Sequence, residues 1–294
     1  MKIVLCNGGL GNQTFQYIFS RWMELATGEP CYLDDSGFFH EHVAHNGFEI
    51  NKVFPDACPR LLSNYFSEDV WNYMLENTKL GKSICQQMKD FGEDIVMVAE
   101  TGDYCFDGNI VVLPYNEYLP SLVACKGNIY FHGYWINPNW LRGEFSQIIK
   151  KELIFASLRE RHNLEYANRI TDSNSLSLHI RRGDFVKLHY ESPVEVYRAA
   201  IEYAEKEVEN AQYFVFSDDL DWCIQHRQEL GFDLAKNRVT FVEGNQGGLS
   251  FRDMQLMTMC KGNILACRSS FSYLATLLNV NENPIIINGT SRQV

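Results

Sequence analysis

The chain has 294 residues, enough for two domains that each bury a core of their own. Apolar residues make up 46% and charged residues 21%, which excludes a disordered acidic tail and a low-complexity scaffold. The formal charge of −11, from 26 Lys+Arg against 37 Asp+Glu, opposes surface-wide attraction to nucleic acid or anionic lipid, so an anionic ligand needs a locally placed cation.

A strand over 2–6 (KIVLC) opens the chain and a helix over about 14–26 follows, where Phe15, Ile18, Phe19, Trp22, Leu25 and Ala26 recur at three and four. Between them stands Asn7-Gly8-Gly9-Leu10-Gly11-Asn12-Gln13. Glycines there let backbone N–H groups approach a ligand, and a helix N-terminus favours negative charge. Gly9 and Gly11 begin a dinucleotide fingerprint whose third glycine is replaced by Thr14, although Asp34 and Asp35 fall where a ribose-binding acid lies. A dinucleotide site, a plain tight turn, and a substrate-facing loop that presents the amides of Asn12 and Gln13 are all open from these residues.

A strand around Tyr32 comes next, and then three histidines in six residues, His40, His42 and His45. They read as metal ligands or, with no cysteine nearby, as a mobile loop. Little is legible over 36–120, and a strand-like run NIYFHGYW follows at 128–135. The nine cysteines are odd in number and contain no C-x-x-C pair, so most read as small buried residues in a reducing compartment, without a zinc site or disulfide framework. No apolar window of membrane-spanning length occurs, and Lys2 opens the first strand without a signal-peptide pattern before it. A cytoplasmic location is expected, compatible with peripheral work beside a membrane.

The pattern changes near residue 150, which predicts domains over 1–150 and 151–294. From about 175 strands and helices alternate: LSLHI, a helix from Pro193 with Tyr197, Ile201 and Ala204 on one face, YFVF at 213–216, a helix from about 219, and RVTFV. A helix capped by Ser250 and Asp253, NILAC, a helix from Ser270 and PIIIN complete the series. Such alternation predicts an α/β fold with a parallel sheet, whose ligands sit beyond the carboxyl ends of the strands.

Three of those ends carry further chemistry. In His179-Ile180-Arg181-Arg182-Gly183-Asp184, Arg181 has the guanidinium fork that suits a pyrophosphate, while Arg182 and Asp184 form either a loop ion pair or part of that grip. His179 is a candidate base or a satisfied strand-end histidine, and Asp184 is the other candidate base. Ser217-Asp218-Asp219-Leu220-Asp221 reads as a helix cap, a nucleotide contact or a D-x-D metal site. Arg268-Ser269-Ser270-Phe271-Ser272 reads as a phosphate-binding helix start or another cap.

Taken together, Gly8–Gln13 with Phe15-Gln16-Tyr17, the H-x-R-R-x-D of His179–Asp184, F-S-D-D at Phe216–Asp219, S-S-F-S at Ser269–Ser272 and Y-F-H-G-Y-W at 130–135 resemble the bacterial α-1,2-fucosyltransferases of glycosyltransferase family 11. The resemblance implies a GT-B-like architecture of two Rossmann-type domains facing a cleft, the first on the acceptor side and the second binding GDP-fucose. It implies inverting transfer of L-fucose to the 2-hydroxyl of a galactose-terminated oligosaccharide or membrane-linked glycan, with no cofactor and no required metal. On that basis Arg181 grips the diphosphate, Asp218 belongs to nucleotide recognition, Ser269, Ser270 and Phe271 line the phosphate pocket, and Asn12 lies at the sugar end of the donor. Thr14, Arg268, Ile136 and Tyr273-Leu274 depart from the family pattern and bear on the acceptor. An NAD-dependent oxidoreductase leaves both arginines and S-S-F-S without a role, and a non-catalytic sugar-binding module needs neither a pyrophosphate grip nor two domains.

Overall fold

The structure, a computed structural model, describes residues 1–40, 45–100, 106–289 and 291–293. His42 and Cys105 lie outside them. The chain divides into two compact units, Met1–Ala156 and Ser157–Val294.

The first unit is built on a five-stranded parallel sheet of β1 (Lys2–Leu5), β2 (Cys31–Asp34), β3 (Ile95–Ala99), β4 (Ile110–Val112) and β5 (Asn128–His132), in the order β2-β1-β5-β3-β4. Its helices are α1 (Leu10–Thr27), α2 (Ile50–Val53), α3 (Glu68–Lys79), α4 (Ile84–Asp90) and α5 (Ser146–Glu152). Phe15, Ile18, Phe19 and Trp22 of the spacing that identifies α1 are buried, Leu25 and Ala26 are half-buried, and the helix begins at Leu10. Gly11, Asn12 and Gln13 therefore form its first turn and not a loop. Gly9, in extended conformation, precedes that turn, and Gly28 ends the helix at φ +69°, where its N–H reaches Glu24 O. Over 36–120, where periodicity is weak, lie the short β3 and β4 together with α3 and α4, the latter two capped by the Ser67 and Ser83 hydroxyls.

The second unit contains β6 (Ser175–Ile180), β7 (Gln212–Ser217), β8 (Val239–Phe241), β9 (Gly262–Leu265), β10 (Ile285–Asn288) and β11 (Ser291–Gln293) in the order β11-β10-β9-β6-β7-β8. All pairings are parallel except β10 with β11. Its helices are α6 (Arg161–Thr171), α7 (Gly183–Leu188), α8 (Val194–Glu207), α9 (Leu220–Gln225), α10 (Phe251–Met259) and α11 (Ser270–Leu277). Every residue of β6 is buried, as expected of a parallel strand covered on both faces. Leu176, Leu178, Ile180 and Val215 share one core with Tyr197, Ala200, Ile201 and Ala204 of α8. Each buried aliphatic side chain there contributes about 1.5–3 kcal/mol. Gly262 is required between two strands, since a Cβ would stand 2.4 Å from Ile285 O. Ser250 lies in helical conformation and makes no side-chain cap on α10, so the cap read from Ser250 and Asp253 is not formed.

In this order the chain runs from β6 outward to β7 and β8, then returns to the other side of β6 for β9 and β10. That reversal places a topological switch between β6 and β9, where ligands of open α/β sheets collect. In the first unit the corresponding reversal lies beside β1, between it and β5.

Candidate functional site

The motif residues of the second unit gather at this switch. Arg181 follows the last residue of β6, and its guanidinium lies between two carboxylates, with Nη2 2.7 Å from Asp184 Oδ1 and Nη1 2.9 Å from Asp218 Oδ2. Asp218, one residue past β7, also accepts the Arg182 backbone N–H at 2.8 Å. One side chain thus joins the ends of two neighbouring strands. Gly183 makes room for it, because a Cβ there would stand 2.5 Å from Asp218 Oδ2. The pairing differs from the Arg182–Asp184 alternative: Arg182 faces Asp219 Oδ2 at 3.4 Å and stacks 3.5 Å over the Trp222 ring, a cation–π contact. Asp219 Oδ1 caps α9 through Trp222 N, and Ser217 Oγ accepts the Asp219 N–H.

On the other side of β6, the start of α11 is tied in through Cys267. Its sulfur lies 3.5 Å from His179 Nδ1 and 3.6 Å from Ser272 Oγ. The His179 and Phe271 rings meet at 5.4 Å. Cys267 therefore touches two polar side chains, whereas composition alone reads it as an apolar filler. Ser269 occupies the N-cap of α11 without a side-chain cap bond, and Ser270 opens the helix. Two guanidiniums stand against the carboxylates of Asp184, Asp218 and Asp219. Arginine charge alone therefore does not make this an anion site. The N-terminal end of α11, which follows the neighbouring β9, is the other feature at this sheet edge that favours negative charge.

His179 is buried, and desolvation followed by the Arg181 charge pushes its imidazole down to about 3. It is neutral at pH 7 and a weak general base there. Asp184 keeps a side chain 43% exposed.

Asp253 is a partly buried carboxyl whose sequence context suggests only a cap. It stands on the first turn of α10 and accepts from Asn245 Nδ2 at 2.8 Å, within a cluster completed by Asn163 and His162. Burial pushes its carboxyl up to about 7. The folded chain then holds a proton that the unfolded chain releases between the ordinary carboxylate range and about 7, so this group's contribution to stability falls as pH rises through that window. The melting temperature of Asp253→Asn relative to wild type is expected to climb from about pH 5 to about pH 8. A difference that stays flat with pH contradicts the assignment.

In the first unit the Gly8–Gln13 block sits at the carboxyl end of β1. Gln13 differs from expectation: its N–H bonds Gly9 O, its Nε2 donates to Gly8 O and Gly47 O, and its Oε1 accepts from Glu49 N. It locks the turn and presents no amide to a ligand. Asn12 is half-buried, and the His45 ring packs 3.4 Å from where a Gly9 Cβ would stand. Asp34 accepts from Tyr130 Oη and Ser36 N, and Asp35 from Ser63 N and Oγ. The two acids at the ribose position are thus engaged inside the fold.

Glu100, one residue beyond β3, was not legible in the sequence at all. It is 1% exposed and accepts three backbone N–H bonds, from Asn116 (2.9 Å), Tyr134 (2.8 Å) and Trp135 (2.9 Å). A Cβ at Gly133 would meet its Oε2 at 2.5 Å. No local pattern announces such a residue, because its partners lie 16 or more positions away.

Two open parallel sheets with motif-bearing strand ends define a GT-B-like α/β protein. The fold matches the fucosyltransferase NodZ from Bradyrhizobium with a TM-score of 0.52 at 16% identity, covering 97% of this chain and 93% of that one. NodZ alpha-1,6-fucosyltransferase soaked with GDP-fucose matches at 0.51 and 16%, covering 97% and 94%. Residues 116–293 match the profile of Glycosyl transferase family 11, and the chain belongs to that family. Alpha-1,2-colitosyltransferase from Escherichia coli is 27% identical over 99% of this chain and 92% of its own length. The protein is a glycosyltransferase. Among the described residues no helix is long and apolar enough to cross a membrane.

Proposed function

We propose that this glycosyltransferase moves L-fucose from GDP-fucose, with inversion, to the 2-hydroxyl of a terminal galactoside. The second unit holds the donor and the first serves the acceptor. The observation that carries the donor assignment is Arg181, fixed by Asp184 and Asp218 at the end of β6 in a family 11 chain, with the Ser269–Phe271 helix start following the neighbouring strand β9. Departure of the nucleotide builds negative charge on the diphosphate and positive character on the sugar, so donors must already stand where that charge grows. Arg181 and the first N–H groups of α11 fill that role, with Arg182 and Ser217 shaping the loop. The acceptor proton passes to a base, for which Asp184 suits better than His179, and Asn12 orients the sugar end.

A NodZ structure soaked with GDP-fucose supports a GDP-sugar donor, and the 1,2 in the colitosyltransferase's name supports the linkage. That relative also favours a second donor, colitose, which is fucose without its 3-hydroxyl. No metal enters the proposed reaction, since Asp219 of the D-x-D pattern is engaged by α9 and Arg182. Calorimetric titration in the presence of chelator with GDP, GDP-fucose, GDP-colitose and NAD tests the donor. Binding of GDP and GDP-fucose is expected. Preference for GDP-colitose moves the assignment to colitosyl transfer, and absence of GDP binding overturns it.

A further inference from the structure

We propose that Glu100 is the positioning residue of the acceptor side, holding the segment Gly133–Asn137 in the one shape that receives the acceptor sugar. This rests on the transferase reading above, which assigns the acceptor to the first unit.

The segment leaves β5, the middle strand of its sheet and the neighbour of β1 at the switch. It is fixed by side chains from three other places. Gln16 of α1 donates to Gly133 O at 3.1 Å while exchanging two hydrogen bonds with Asn7. Glu100 Oε2 takes the N–H groups of both Tyr134 and Trp135. Asn116, itself held by Glu100 Oε1, accepts from Ile136 N through its Oδ1 at 3.1 Å and from Asn137 Nδ2 through its carbonyl at 2.8 Å. The strand ends that carry the Gly8–Gln13 block and the Y-F-H-G-Y-W run are thereby fastened to each other.

The backbone shows why such a clamp is needed. Trp135 has φ +57°, the left-handed region that a bulky residue with a Cβ adopts at a cost of about 1–3 kcal/mol. The residue stays there because its indole stacks on Phe19 at 4.2 Å and because Glu100 accepts its backbone N–H. Burial is the other cost: the Glu100 carboxyl is 1% exposed, desolvation pushes it up from the ordinary carboxylate range, it makes no ion pair among the described residues, and the N–H groups of Asn116, Tyr134 and Trp135 oppose that shift. An apolar residue would fill the same space without that cost and would leave three N–H groups without an acceptor. Strain and a buried carboxyl converge on one short loop at a ligand-bearing sheet edge, which is where fixed geometry serves positioning. The loop offers half-buried His132, Tyr134, Ile136 and Asn137 at that edge.

The test compares wild type, Glu100→Gln and Asn116→Gly. Glutamine keeps a carbonyl for Tyr134 and Trp135 but turns an amide donor toward Asn116 N–H, and glycine keeps the positive φ of Asn116 while deleting the acceptor for Ile136. In both variants the KM for the galactoside acceptor is expected to rise by about tenfold, the effect of one displaced hydrogen bond, with kcat falling less. GDP affinity and the acceptor-independent hydrolysis of GDP-fucose are expected to stay at wild-type values. Unchanged acceptor KM in both variants overturns the proposal, and so does a parallel loss of GDP affinity. If Glu100→Gln fails to fold, Asn116→Gly decides by the same readouts. Wild-type protein that transfers no fucose overturns the functional reading instead.

Discussion

Replacing Arg181 by alanine is expected to lower the transfer rate by a factor on the order of 10²–10³ or more, the range seen when one preorganised donor to a developing anion is removed. The guanidinium has no substitute in this loop. Arg182 turns the other way, onto Trp222 and Asp219. The substitution also leaves Asp184 and Asp218 facing each other without the cation between them, which makes the loop a worse place for a diphosphate. Because Arg181 is about a quarter exposed and lies past the end of β6, the fold is expected to survive. Melting temperature, GDP affinity and turnover measured on the same preparation separate loss of the grip from loss of structure. A folded Arg181→Ala enzyme with near-normal turnover removes Arg181 from the mechanism.

Gly183→Ala is expected to cost roughly 10²-fold in rate, although it touches no substrate, since a shift near 1 Å in a catalytic group has that effect. The added methyl would stand 2.5 Å from Asp218 Oδ2, so the carboxylate must move. Asp218 is the anchor for both Arg181 and the Arg182 backbone, and moving it carries the guanidinium away from its place at the switch. Alanine favours helix over glycine, so α7 is expected to form at least as well as before. Lower turnover with unchanged or raised melting temperature is the predicted signature. Equal turnover in Gly183→Ala and wild type shows that Asp218 does not set the position of Arg181.

The second unit was the more legible half because its strands are buried on both faces and its helices are amphipathic. LSLHI, YFVF and the first three residues of NILAC fall on strands, and Tyr197, Ile201 and Ala204 fall on the buried face of α8. The site motifs were visible because they stand at strand ends, where polar residues interrupt apolar runs. Which carboxylate pairs with which arginine was not visible, since Asp218 reaches Arg181 across 37 residues through the register of β6 on β7. The first unit hid more. Its β3 and β4 have only five and three residues, too short for periodicity to tell strand from helix. The Gly8–Gln13 block reads as a loop because of its glycines, yet packing of Leu10 and Gly11 draws the start of α1 back into it. Glu100 acts through partners distant in sequence, and the contact of Cys267 with His179 spans 88 positions, so neither role is announced locally.

The most direct measurement is an assay of purified protein with GDP-β-L-fucose and a galactose-terminated oligosaccharide, the product's linkage and anomeric configuration being read by NMR. An α-L-fucose on the 2-hydroxyl of galactose, absent with Arg181→Ala, is the predicted product. No transfer from GDP-fucose, fucose on a different hydroxyl, or retained configuration would contradict the assignment.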